Sequence, residues 1–412
     1  MRRSRLFSDG RYKGRYTFGT RRRRHPVAVI LGLAAAAALF FVGYSIQQPL
    51  LALIHGHYAP SAASSVTSHA SKPAASSASS AASSASSSVT TTDTAVRGLY
   101  LPANALSGGD ALTQAIATMK SAGLNTAIVN LKGEDGVVNY ASKISEVQGT
   151  SIVASGAPDG AAAAQTLTQS GITPAAKISC FKDPVGADAM RDAAVKYSGN
   201  HSMTWLDPTN RWLNPYSDKA QQYIIDLATE AVSLGYKQIY LDNLEFPTGD
   251  SKAYYGDNLP SKEDCLKAFV AKASQAVEAA GGKLSVVMPG DSAVGQGSAQ
   301  KGQDQNLYGF TADYYSPNLC PSLFSKGLTV GATAVSDSDP AATVTAAAQA
   351  VAQLSAAKVS NTVPLIQAYA GSRAYTADDI NAQISALSAV GIRSYILYAP
   401  SGSYSLTGVK AQ

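Results

Sequence analysis

From Val96 onward the chain alternates two patterns of apolar positions. Stretches with helical spacing end in glycine, and each is followed by a short run rich in Val, Ile, Leu and Tyr. Ala122-Gly123 precedes Thr126-Ala-Ile-Val-Asn-Leu131, and Ser170-Gly171 precedes Ile172 to Ser179. Leu234-Gly235 precedes Gln238 to Asp242, Ala280-Gly281 precedes Lys283 to Val287, and Val390-Gly391 precedes Ser394 to Tyr398. Glycine just past a helix takes the left-handed conformation that stops it and releases the chain into a strand. After Ser217, an N-cap, apolar residues fall at Ile224, Leu227, Ala228, Ala231 and Leu234. After Thr376 they fall at Ile380, Ile384, Leu387 and Val390. Gly98 to Leu101, Ala312 to Ser316 and Val363 to Ala368 complete eight strands alternating with helices, an α/β pattern that predicts a (β/α)₈ TIM barrel over residues 96–412. A doubly wound open sheet is the alternative. No Gly-rich dinucleotide fingerprint or phosphate loop follows any strand, which counts against that sheet and against a nucleotide cofactor.

The first 95 residues read differently. Residues 1–26 form a basic tail that ends in Arg21-Arg22-Arg23-Arg24 before the apolar run, and Val27 to Ile46 contains no charged residue. A helix over 27–46 is long enough to cross the hydrocarbon core, with the arginines predicting a cytoplasmic N-terminus and an extracellular barrel. The competing reading is a cleaved signal peptide, for which the charged and apolar regions are unusually long. Residues 47–95 are dominated by Ser, Ala and Thr and predict a disordered linker, with nothing large enough to form a core. The formal charge of +5 belongs to the tail, because the rest of the chain is acidic. It therefore implies no nucleic-acid partner.

Histidine and cysteine narrow the chemistry. Of five histidines only His201 falls in the barrel, in the polar stretch Gly199-Asn200-His201-Ser202. A multi-histidine metal site is excluded, and no metal or other cofactor is expected. The three cysteines, Cys180, Cys265 and Cys320, lack zinc-ribbon spacing and read as small buried hydrophobes.

In a barrel of this kind reacting groups gather at the C-terminal ends of the strands. Those ends carry Lys132, Glu134 and Asp135; Lys182 and Asp183; Asp242 and Glu245; Asp291; Asp313 and Tyr315; Gln367; and Tyr398. Carboxylates and lysines on one rim suit glycosidic chemistry, which needs a protonated acid for the leaving oxygen and an ionised carboxylate as nucleophile or base. Asp242 stands out, because a carboxylate in the run Ile239-Tyr-Leu-Asp-Asn-Leu is costly to bury unless it faces a polar mouth. A structural, hydrogen-bonded Asp is the competing reading. Glu245 is the candidate partner, although strict alternation would turn it toward the helices unless the strand ends near Asn243. Lys132, Lys182 and Asp183 read equally as rim ion pairs or ligand contacts. Trp205 and Trp212 share one loop-like stretch, where Trp212 is equally a sugar platform or a core anchor.

These segments resemble the family of barrel domains described as "putative glycosyl hydrolase domain". The resemblance runs from about Val96 to Tyr404. It is carried by Arg97-Gly-Leu-Tyr-Leu101, Val129-Asn-Leu-Lys-Gly-Glu-Asp-Gly136, Phe181-Lys-Asp-Pro184, Trp212-Leu-Asn-Pro-Tyr216, Asp313-Tyr-Tyr-Ser-Pro317 and Leu365-Ile-Gln-Ala-Tyr369. Gln238-Ile-Tyr-Leu-Asp-Asn-Leu-Glu-Phe-Pro247 is similar to the family's Q-F-D-Y-I-R-F-P strand. It implies a TIM-barrel glycoside hydrolase with a carbohydrate partner, in which Asp242 and Asp313 match family acids. Three positions depart: Glu245 stands where the family carries Arg, Ala368 follows Gln367 where an acid is expected, and strand five reads Val286-Val287-Met288. The leading expectation is a polysaccharide-hydrolysing enzyme. A non-catalytic carbohydrate-binding barrel and a wall-associated structural protein are the alternatives.

Overall fold

A computed structural model of the chain describes residues 95–207, 210–303 and 306–411. The basic tail, the apolar span over 27–46 and the Ser/Ala linker lie outside the described residues. Among the described residues, no helix is long and apolar enough to cross a membrane.

Eight parallel strands form one sheet: β1 (Arg97–Leu101), β2 (Thr126–Lys132), β3 (Thr173–Ser179), β4 (Gln238–Asp242), β5 (Lys283–Met288), β6 (Tyr314–Pro317), β7 (Leu365–Gln367) and β8 (Tyr395–Tyr398). They pair in the order β7-β8-β1-β2-β3-β4-β5-β6. Two further parallel bridges, Tyr315 to Thr362 and Asn318 to Leu365, join β6 to the approach of β7 and nearly close the barrel. Inward positions alternate along the strands. Tyr100, Ile128, Ala175, Tyr240, Val287, Tyr314, Leu365 and Ile396 fill the barrel, and a larger apolar layer packs the outer faces against the helices. Both faces are therefore buried, which is why the strands read as nearly continuous apolar runs.

Six long helices return the chain: α1 (Gly109–Ser121), α2 (Gly160–Gln169), α3 (Asp218–Ser233), α4 (Lys262–Ala279), α5 (Pro340–Ser355) and α6 (Ala377–Ala389). Their ends carry the expected signals. The Ser217 side chain accepts from Ala220 N, and Thr376 and Asp379 form a reciprocal capping box. The strict alternation of eight helices needs correction. Among the described residues, the chain makes only a four-residue helix (Gly290–Ala293) and short 3₁₀ turns between β5 and β6, and no helix follows β8. Gly290, Gly295, Gly297 and Gly302 crowd that first connection, and glycine disfavours a helix interior.

All three cysteines are free and buried. His201 is exposed, on a small antiparallel sheet above the barrel, with its ring stacked 3.6 Å from that of Tyr254.

Candidate active site

At the C-terminal ends of the strands a cavity of about 760 Å³ opens, lined on its polar side by Asn130, Glu134, Asp135, Lys177, Asp242, Asn243, Glu245, Asp291, Lys301 and Asn318. β4 supplies its centre. Gln238, Tyr240 and Asp242 share the inward face, so the last residue of the strand delivers a carboxylate to the mouth. Asn243 then takes a left-handed conformation (φ 49°) and breaks the alternation. Asparagine tolerates that region better than most residues. The turn brings Glu245 back to the same cavity that Asp242 lines.

Asp242 and Glu245 each have a lysine. Lys177, inward-facing on β3, places Nζ 2.7 Å from Asp242 Oδ2, while Asp242 Oδ1 accepts from Asn243 N at 2.8 Å. Glu245 Oε2 lies 3.0 Å from Lys301 Nζ. The two pairs differ in electrostatics. Burial pushes the Glu245 carboxyl above its ordinary value and the nearby Asp242 charge adds to this, while Lys301 pulls the other way. Burial alone would weaken the charge on Lys177, but Asp242, Tyr100 and Glu134 together hold its pKa above the usual lysine value. The apolar wall is aromatic: the rings of Tyr100 and Tyr398, both lining the cavity, lie 4.9 Å apart.

Residues 98–404 match the sequence profile of the family described as "putative glycosyl hydrolase domain". The chain belongs to this glycosyl hydrolase family. Among solved structures, the PgaB (BpsB) glycoside hydrolase domain from Bordetella bronchiseptica is similar with a TM-score of 0.55 and 14% identity, over 75% of this chain and 95% of that one. Alpha-L-fucosidase isoenzyme 2 from Paenibacillus thiaminolyticus gives 0.50 and 12% identity, over 77% of this chain and 48% of that one. A hypothetical protein from Ruminiclostridium thermocellum ATCC 27405 is 27% identical over 46% of this chain and 96% of its own, with a TM-score of 0.42. No curated protein sequence matches the chain. At these identities the first two likenesses show the fold.

In this glycosyl hydrolase domain, Asp135, Asp242, Glu245 and Tyr398 come together on the cavity. Lys182 stands at the rim, paired with Glu134 at 2.6 Å. Six other expected contacts point elsewhere. Between Asn130 and Lys132, β2 advances two residues while β3 advances one, from Lys177 to Ile178. This bulge turns Lys132 outward, where it is fully buried 2.9 Å from Asp183. Asp183 in turn caps the short helix Pro184–Ala189 by accepting from Gly186 N. Gly136 sits against this pair with φ 85°, and a Cβ there would fall on Asp183 Oδ1. Trp212 is a core anchor, not a platform; it is buried with Nε1 donating to Asp207 Oδ2 at 2.8 Å.

The remaining corrections concern β6 and β7. Asp313 precedes β6 and lies at the opposite end of the barrel, where its Oδ2 accepts from Leu284 N at 2.8 Å. Tyr315 is buried among the helices, its hydroxyl donating to Phe310 O at 2.6 Å. Gln367 is buried beside the mouth, and its Oε1 accepts from Ser322 N at 3.0 Å, which fixes the loop carrying Leu323 to the cavity. Sequence reading missed Lys177 and Lys301 as site residues. A lone lysine in the buried run Pro174-Ala-Ala-Lys-Ile-Ser179 gives the same signal as Asp242, a charge too costly to bury without a partner. Lys301 sits in a Gly- and Gln-rich loop whose composition offers no such signal.

Proposed function

We propose that this domain hydrolyses glycosidic bonds in a cell-surface or extracellular polysaccharide, with Asp242 as nucleophile or base and Glu245 as proton donor. The observation that carries this reading is that Asp242 and Glu245 line one cavity and that burial holds the Glu245 carboxyl above its ordinary pKa. Two carboxyls in different environments can divide the acid and base roles at one pH. Glu245 would protonate the departing oxygen while Asp242 attacks the anomeric carbon or takes a proton from water. Tyr100 and Tyr398 offer aromatic faces on which a sugar ring can lie.

The test is hydrolysis of a polysaccharide panel, read as reducing ends released. Glu245→Gln is expected to slow polysaccharide cleavage by about 10²–10⁴-fold. It should slow an activated aryl glycoside far less, because that leaving group departs without a proton. Equal losses on both substrates would remove Glu245 from the donor role. A carbohydrate-binding barrel is the second reading, favoured by Ala368 and by the strand-five run Val286-Val287-Met288, where acids are expected. Retained glycan binding without any hydrolysis by the wild-type chain would establish it.

The Arg21–Arg24 run and the uncharged stretch 27–46 support display of the domain outside the membrane on an uncleaved anchor. Protease added to intact cells is expected to remove the barrel and leave the tail protected. A soluble mature form beginning in the Ser/Ala region would refute the anchor.

A further inference from the structure

We propose, on the reading of Glu245 as the proton donor, that Lys301 is a positioning residue that sets its proton state. The two side chains meet at 3.0 Å and both are largely withdrawn from solvent. Their encounter is built into the backbone. Phe246 N donates to Lys301 O at 3.0 Å, and Gln303 Nε2 donates to Leu244 O at 2.8 Å. The residues on either side of Glu245 are thus tied to the loop that carries Lys301. That loop is tied down in turn by Lys262 Nζ on Gln300 O at 2.7 Å and by Ser292 Oγ on Gln303 Oε1 at 2.8 Å. Most solvent-exposed ion pairs lose what they gain by immobilising two long side chains. Here much of that ordering is already done by the loops.

The charges facing Glu245 come from three elements. Asp242 on β4 opposes ionisation, whereas Lys301 after β5 and Lys182 after β3 favour it. Lys182 is engaged with Glu134 at 2.6 Å, which leaves Lys301 as the main counterweight to burial. This has a chemical use. A carboxyl buried without a cation would stay protonated over a wide range but would give up its proton poorly, and a general acid works best with its pKa near the working pH. Here the turn after β4 supplies the acid, and the cation arrives from another loop.

The experiment compares Lys301→Gln and Lys301→Arg in the full chain, following the Glu245 carboxyl by ¹³C NMR with Glu245→Gln to identify its signal. A donor must be protonated to act, so the rate falls as pH rises through its pKa. Removing the ammonium raises that pKa. In Lys301→Gln both the carboxyl titration and the basic limb of the pH–rate profile are expected to move up by about one pH unit, on the scale of an opposite charge at this distance. Lys301→Arg should restore both. Lys301→Met, which keeps the apolar stem, replaces the glutamine variant if that one is unstable. An unmoved titration, or a rate lowered at every pH with the limb in place, overturns the role of Lys301. A titration that moves while Glu245→Gln keeps the wild-type rate on polysaccharide supports the role of Lys301 and rejects Glu245 as the donor.

Discussion

Asp242→Asn is expected to leave a folded barrel that still binds glycan and turns it over at least about 10²–10⁴-fold more slowly, the usual worth of a positioned acid–base group. The change keeps shape and size. An amide oxygen can still accept from Asn243 N, as Asp242 Oδ1 does at 2.8 Å. What disappears is the negative charge at the end of β4, and with it both the proposed nucleophile or base and the counter-charge of Lys177, whose Nζ lies 2.7 Å away. Leaving that lysine without an anion costs about 1–3 kcal/mol of stability, so turnover and melting temperature must be read on the same sample. The rim aromatics Tyr100 and Tyr398 are untouched, and glycan affinity should persist. Wild-type turnover in stably folded Asp242→Asn would end the catalytic assignment.

The barrel was legible because its signals are local and repeated. Helix stops such as Gly235 and Gly391 adopt the left-handed φ that their position after a helix requires. Strands buried on both faces announce themselves as apolar runs. Asp242 was legible for the complementary reason, a charge where burial forbids one unless the strand end is wet. What could not be read are features that depend on partners distant in sequence. Whether Trp212 meets a sugar or Asp207 depends on which face of its loop packs down. Asp313 is the exception, because its place just before Tyr314–Pro317 already sets it at the foot of the barrel, several residues short of the mouth. Continued alternation would turn Glu245 away from the mouth, and only the left-handed turn at Asn243, which the sequence pattern does not reveal, brings it to the cavity.

Lys132 is the sharpest case, and it yields the largest stability prediction. Alternation from Ile128 and Asn130 would carry it into the mouth; the bulge against Lys177 and Ile178 sends it into the helix layer instead. There its side chain and that of Asp183 are both 0% exposed, 2.9 Å apart, with Lys132 Nζ also donating to Ser179 O at 2.7 Å. Burial pushes the Asp183 carboxyl up, while Lys132 and the Gly186 N–H pull against it. Lys132→Met removes the cation and leaves a buried acid without a counter-charge, a class of change that costs about 3–5 kcal/mol. The loss should depend on pH with a definite sign. Without Lys132 the folded-state pKa of Asp183 rises further above the unfolded value near 3.9, so the folded variant binds the extra proton between those two values. Stability then falls as pH rises through that window, by up to about 1.4 kcal/mol per unit, and the penalty is smallest in acid. Urea unfolding of the wild type and Lys132→Met across pH 4 to 8 measures this. The outcome that would sink the argument is a constant difference across the range, because a loss of packing alone does not titrate.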